Sequence, residues 1–356
     1  MSYSANAIYT KAKAMYGRRL TYENYVDMIN CPHVADVASY LSTSTQYSEV
    51  FSDIQVASIS RVLLENSLRK HLFNQFASIC NYQRAIGQEL YKYFIILSEI
   101  EQILSCIRFL KTERKDDYLF SMPAFMNNHT SIDLFKLART ENISDVIMAL
   151  QGTDYEEKIS RYVVDDNPNL LMIEAVLYRY LFRETQKLAQ KSLKGKERKE
   201  FLEIVHIRFD MSLISNLYRL KKYFRVSPDR IFDYIKVTFH VTNFTEKQIN
   251  AMIYSNSVDE LFAILESTVY GKSLKFDQFD SIEQCTRHYE YEWASKKMIF
   301  SVYPSVVMFC GILLAQNEIN NIIHIEEGIK YHIPKEDIMN ALIGFHEKKE
   351  GENVWQ

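Results

Sequence analysis

Residues Thr130–Tyr155 read TSIDLFKLARTENISDVIMALQGTDY, and residues Thr245–Tyr270 read TEKQINAMIYSNSVDELFAILESTVY. Laid over one another without a gap, they place apolar residues in the same columns and end on the same Thr-x-Tyr. A third copy, Thr21–Tyr47, reads TYENYVDMINCPHVADVASYLSTSTQY and carries one extra residue before its closing Tyr. At offsets of four, seven and eight from the Thr stand Tyr25, Leu134 and Ile249, then Met28, Leu137 and Met252, then Ile29, Ala138 and Ile253. Those offsets draw one face of a helix. Thr21, Thr130 and Thr245 are placed to cap its start. A second short helix follows, with Val34, Ile143 and Val258, then Val37, Val146 and Leu261, then Leu41, Leu150 and Leu265 on its apolar face. Asp36, Asp145 and Glu260 fall where they would cap or charge its first turn.

Working outward, each copy is followed by a long helical pattern that contains Ile100-Glu-Gln-Ile103, Ile214-Ser-Asn-Leu217 or Ile319-Asn-Asn-Ile322. These lie 79, 84 and 74 residues after the opening Thr. The near-constant spacing predicts three units, each a pair of short helices followed by long ones, with boundaries that give 1–115, 116–228 and 229–356. Units of that length exceed common solenoid repeats, so each is expected to hold its own core. Nine Gly and six Pro in 356 residues are about a third of average usage. Few turns mean long helices, expected over 56–111, 169–191, 196–223 and, with breaks, 281–330. No segment alternates as a strand would. The fold class predicted is all-α.

A net charge of −3 removes the basic footprint that nucleic-acid binding needs for counterion release. Cys31, Cys80, Cys106, Cys285 and Cys310 are widely spaced with no CxxC pair and read as reduced core thiols. The N-terminus lacks the apolar run of a secretory signal. The uncharged stretch Met298–Asn317 has the length of a membrane span, but only Val302–Ala315 is densely apolar, which suits a buried helix. KSLKGKERKE, Lys191–Glu200, reads as a solvated turn centred on Gly195, with contact to lipid headgroups or an acidic partner as the alternative. The tail His346–Gln356 is charged and expected to fray.

The constellations that helical enzymes use are incomplete at every candidate position. Glu203 and His206 form one Glu-x-x-His, where a di-iron bundle needs two. Asp116-Asp117 and Asp165-Asp166 lack the third acid of a diphosphate–magnesium site and read as loop or cap acids. His33, His206, His240, His324 and His332 have no ligand spacing with Cys or each other. Neither a phosphate-cradling Gly loop nor a nucleophile elbow occurs. The 24 Tyr and 21 Phe sit beside Leu and Ile on helical faces and read as packing rather than base-stacking residues.

The boxes SDVIMALQGTDY and VDELFAILESTVY, the weaker ADVASYLSTSTQY and the opening KAKAMYGRRL resemble the family of C subunits of bacterial and archaeal rotary V-type or A-type ATPases, whose eukaryotic equivalent is called d. The family's acid-apolar-x-x-x-Leu-x-x-Thr-x-Tyr box is matched at Asp145, Val146, Leu150, Thr153 and Tyr155, and at Glu260, Leu261, Leu265, Thr268 and Tyr270. The first copy, Asp36, Leu41 and Tyr47, departs by the inserted residue, and Lys11 and Lys13 replace the usual Arg. The resemblance implies three helical units arranged as a funnel with approximate threefold symmetry, with no catalytic residue and no cofactor. It further implies a peripheral position on the cytoplasmic side of a membrane, coupling the D and F subunits of the central shaft to the proteolipid ring near the a/I component of the stator, for H+ or Na+ transport. The Tyr and acid of each box are assigned to packing and capping within the unit. The competing readings are a repeat adaptor of unrelated role and a metal or prenyl-type enzyme built on Glu203 and His206 or the acidic pairs.

Overall fold

The computed structural model describes residues 3–345 except 53, 57–58, 86–87, 113, 115–117, 120, 237–240, 272 and 280. Asp116, Asp117, His240 and the tail after Phe345 therefore lie outside the described residues, as does the Cys80 side chain. The chain divides into two compact units, Met1–Ile79 with Asp277–Gln356, and Cys80–Phe276. It is all-α. The one exception among the described residues is a two-residue hairpin, β1 (Val163–Val164) and β2 (Asn167–Pro168).

The first unit is built around two long helices, α14 (Ile282–Phe300) and α15 (Pro304–Lys330), with α1 (Tyr3–Gly17) packed along α15. The uncharged run at 298–317 is thus not one helix. Pro304 cannot extend the helix before it and forces Tyr303 into extended geometry, so the chain turns at Ser301–Tyr303 and restarts with Pro at N1. α15 is long and apolar enough to cross a membrane, but 78% of its most apolar window is buried inside the fold. The first box forms α2 (Tyr22–Ile29) and α3 (Val34–Ser44), which pack on α15, with the short C-terminal α16 (Lys335–Ala341) against α2. Their shared core includes Tyr25, Met28, Val37, Leu41, Ile319, Ile322, Ile325 and Ile338.

The helix expected over 56–111 is two: α4 (Arg61–Ala85), which also supplies Leu64 and Leu68 to that core, and α5 (Lys92–Lys111), which belongs to the second unit. Between them Gln83 spends its side-chain oxygen on the Tyr91 amide at 2.9 Å, a local bond that competes with helix continuation. In the second unit, box two forms α6 (Leu134–Leu137) and α7 (Ile143–Ala149) against α5, followed by α8 (Glu156–Ser160). Helices α9 (Leu170–Ser192) and α10 (Gly195–Lys222) come next, then α11 (Pro228–Ile235). Box three forms α12 (Glu246–Tyr254) and α13 (Val258–Glu266), with α13 on α10 and α12 on α11. The turn expected around Gly195 is shorter than read: only Leu193 and Lys194 separate α9 from α10, and Leu193 is buried. Gly195 itself opens α10 at φ 53°, a left-handed backbone that costs glycine little.

Candidate functional site

Fifteen of the eighteen repeated apolar positions are buried, and Val34, Ala138 and Val258 are half-buried. The caps agree less uniformly. Thr21 and Thr245 each accept from the amide three residues on and are answered by Asn24 and Gln248, closing reciprocal capping boxes. Thr130 does not cap, contrary to its reading from sequence. The carboxylate of Asp133 accepts the amides of Phe135 and Lys136 at 3.0 and 3.1 Å, starting α6 later, and Thr130 donates its hydroxyl to the carbonyls of Asn127 and Ile132. An Asp available three residues on outcompetes the Thr because its carboxylate holds two of the orphan amides at once. The second-helix acids do turn back: Asp36 accepts from the His33 amide, Asp145 from Glu141 and Glu260 from Asn256.

At the end of each box the Thr of Thr-x-Tyr folds onto the Leu carbonyl, 2.6 Å for Thr153 to Leu150 and 2.6 Å for Thr268 to Leu265, and then accepts the amide of the Tyr. In the first copy Thr45 makes the same two bonds, to Leu41 and from Tyr47. The inserted residue is absorbed before it. This turn aims the three tyrosines at three carboxylates that the sequence pattern does not single out. Tyr47 donates to Glu318 at 2.6 Å, Tyr270 to Asp210 at 2.5 Å, and Tyr155 to Glu99. Each carboxylate also accepts from the chain at the start of the same box: Glu318 from the Leu20 amide at 2.7 Å, Glu99 from the Ser131 amide, and Asp210 from the Asn243 amide at 3.0 Å. One buried carboxylate therefore clamps the two ends of each box. Glu318 further accepts from Gln46, and Asp210 from Thr242. Burial raises the Glu318 and Asp210 carboxyls above the ordinary range, against the pull of these donors. Tyr47 is raised by burial first and by Glu318 second, so it remains a neutral donor.

Two clamps use the long helix that precedes the box, α5 for box two and α10 for box three. For box one it is the last long helix, α15. From carboxylate to the last helical residue is 12 residues each time, 99 to 111, 210 to 222 and 318 to 330. This register corrects the one taken from the Ile motif. Ile103, Ile214 and Ile322 are equivalent, so the motif alone matches the middle copy three residues out of place. Apolar residues recurring every three or four positions make such a slip of one turn easy; the buried acid removes it.

A model of the ATP synthase (C/AC39) subunit family matches residues 8–341. The chain belongs to this family. Among curated relatives of this C/AC39 chain, the C subunit of the A-type ATP synthase of Archaeoglobus fulgidus is 22% identical over 94% of the chain and 95% of the relative. Its counterpart in Methanocaldococcus jannaschii is 21% identical over 85% and 77%, and that of Pyrococcus abyssi 23% over 86% and 81%. Membership makes the chain a subunit of a rotary ATPase associated with a membrane-bound complex, with a structural rather than a catalytic part in it.

Several of the candidate metal-ligating residues serve the local structure. His206 lies against the Phe182 ring, 5.1 Å between centroids, with Nδ1 3.3 Å from Asn243 Oδ1. Asp165 and Asp166 turn the β1–β2 hairpin at φ 51° and 60°, a pair that suits a type I′ turn. Asp166 also accepts from the amides of Ile143 and Ser144 and the Ser144 hydroxyl, capping α7. His33 stands at the N-cap of α3, and His332 adopts φ 56° after α15. Cys31 is half-buried; Cys106, Cys285 and Cys310 are buried thiols.

Proposed function

We propose that this chain is the central-stalk component that joins the rotating shaft to the proteolipid ring of a rotary ATPase, on the cytoplasmic side of the membrane, for H+ or Na+ transport. Its partners would be the D and F subunits of the shaft and the ring, with the a/I component of the stator nearby. Family membership across residues 8–341 carries this reading. The three sequence units, 1–115, 116–228 and 229–356, would be three turns of one cycle, giving a funnel with approximate threefold symmetry. The clamps support three like units: Glu318, on the last long helix, holds the first box as Glu99 and Asp210 hold the second and third.

A coupler must carry load without yielding, so the role asks for helices locked to one another rather than for a titratable reaction centre. The clamps meet that need: each fixes both ends of a two-helix box to a helix of 20 to 28 residues. The test is affinity purification of the tagged chain from gently solubilised membranes of its host. Co-elution of a small proteolipid with ATPase shaft and head subunits is the expected result. Recovery of the chain alone from the soluble fraction would overturn the coupling role and leave a helical scaffold.

A further inference from the structure

The end of α14 and the turn after it expose three large apolar side chains within four residues: Ile299 at 54%, Phe300 at 79% and Val302 at 61%. Single exposed apolar residues are ordinary, but a contiguous group at an apex is not. The turn between α9 and α10 buries its one apolar residue, Leu193, and the ends of α10 and α15 expose two each, Tyr223 with Phe224 and Tyr331 with Ile333, against three here. The apex is also held rigidly. Ser301 is buried and its amide donates to the Lys297 carbonyl at 2.9 Å. Tyr9 donates to the Ser301 carbonyl at 3.5 Å, and Lys13 donates to the carbonyls of Ile299, at 3.0 Å, and Met298.

Lys13 brings a positive charge to the base of the apex, and Lys296 and Lys297 precede it by one turn of α14, about 6 Å at 1.5 Å per residue. Against these three cations the stem sets Glu292, 4.0 Å from Lys296, and Glu290 further back along α14. We propose that the turn Ile299–Val302 dips into the headgroup layer of an anionic bilayer, with Phe300 at its tip and the lysines at headgroup level. Apolar side chains at the apex with cations set back along the stem have the depth order of interfacial anchors, which enter roughly 5–10 Å. Because the apex is already fixed, little conformational freedom is lost on contact. The proposal concerns lipid alone and does not depend on the coupling role.

The test uses the full chain with vesicles of phosphatidylcholine, with and without phosphatidylglycerol, in a flotation assay. Binding should require the anionic lipid, weaken with salt, and fall roughly tenfold or more in Ile299→Ser/Phe300→Ser/Val302→Ser. These side chains are exposed, so the triple variant should melt like wild type. Separately, Phe300→Trp should gain blue-shifted emission that brominated acyl chains quench, relative to the unsubstituted chain. The proposal is overturned by wild type that does not float, by a triple variant that floats unchanged, or by an unquenched Trp at 300. Wild type that fails to float, together with a triple variant lost from the purified complex, would make the apex a protein contact instead.

Discussion

Tyr270, Tyr155 and Tyr47 each donate a hydroxyl proton to an acid that is itself buried, so removing the hydroxyl leaves a carboxylate short of a donor. Tyr270→Phe and Tyr155→Phe should each cost about 1–3 kcal/mol in denaturant melts. A loss below about 0.5 kcal/mol in both would show that the clamp is dispensable. Glu326 is a different kind of buried acid. Eight residues after the clamp acid the other long helices carry Ile107 and Tyr218, both buried, and α15 carries a carboxylate with both oxygens lacking a hydrogen-bond partner. Burial, with the neighbouring Glu65 and Glu327 adding to it and Arg61 opposing, pushes its carboxyl up to about 8. The folded form thus holds a proton that the unfolded chain releases from its ordinary value of 4.5. Stability should fall as pH rises between those values and level off above about 8. Glu326→Gln keeps the shape without the charge. It should stabilise by on the order of 1–3 kcal/mol at pH 8.5 and by little at pH 5, read from paired melts. A pH-independent difference would contradict this.

At the scale of elements, the ends of short helices are set by single side chains. Thr245→Ala should cost about 1 kcal/mol, because the Gln248 amide loses its capping acceptor while the amide of residue 245 keeps its bond to the Gln248 side chain. Thr130→Ala should cost less than half of that, since Asp133 does the capping there. Equal losses at the two sites would count against the assignment. Helix packing has its own test at Gly328 on α15, where an added Cβ would lie 2.4 Å from Ile338 Cδ1 of α16. Gly328→Ala gains roughly 1 kcal/mol of helix propensity but overpacks a buried contact that costs typically 1–3 kcal/mol. A net loss is expected, and Gly328→Ala with Ile338→Ala should be less destabilised than the sum of the single changes by at least about 0.5 kcal/mol. Additive losses would mean that the two helices adjust independently. The sequence showed where these helices lie and which face of each is apolar. It did not show which Thr would cap, because Thr21, Thr130 and Thr245 are identical letters until Asp133 enters the comparison.

At the scale of the whole molecule, the first box depends on the end of the chain. Truncation after Tyr331 removes α16, the cover of α2. Amide exchange should then speed up over 21–47 while 245–270, enclosed in the other compact unit, keeps its protection. Uniform loss over both would argue against separable boxes. Leu265→Asp should unfold its box, since Leu265 is 0% exposed and an unpaired buried charge costs several kcal/mol. Under the coupling role proposed above it should also uncouple hydrolysis from ion transport in the assembled ATPase, and wild-type melting with intact coupling would refute both. Composition and the three Thr-to-Tyr boxes by themselves determined that the chain is all-α and repetitive, because helical periodicity and the near-absence of Gly and Pro are local properties. The resemblance of the boxes sufficed for the family. Only the tertiary structure decided that the second and third boxes are held by the helix before them, that the first is held by the last, and that Glu99, Asp210 and Glu318 are the holding residues. An acid on an otherwise apolar helix looks the same in sequence whether it faces water or a buried tyrosine. The bond that distinguishes them joins residues 56 and 60 positions apart in two cases and 271 in the third.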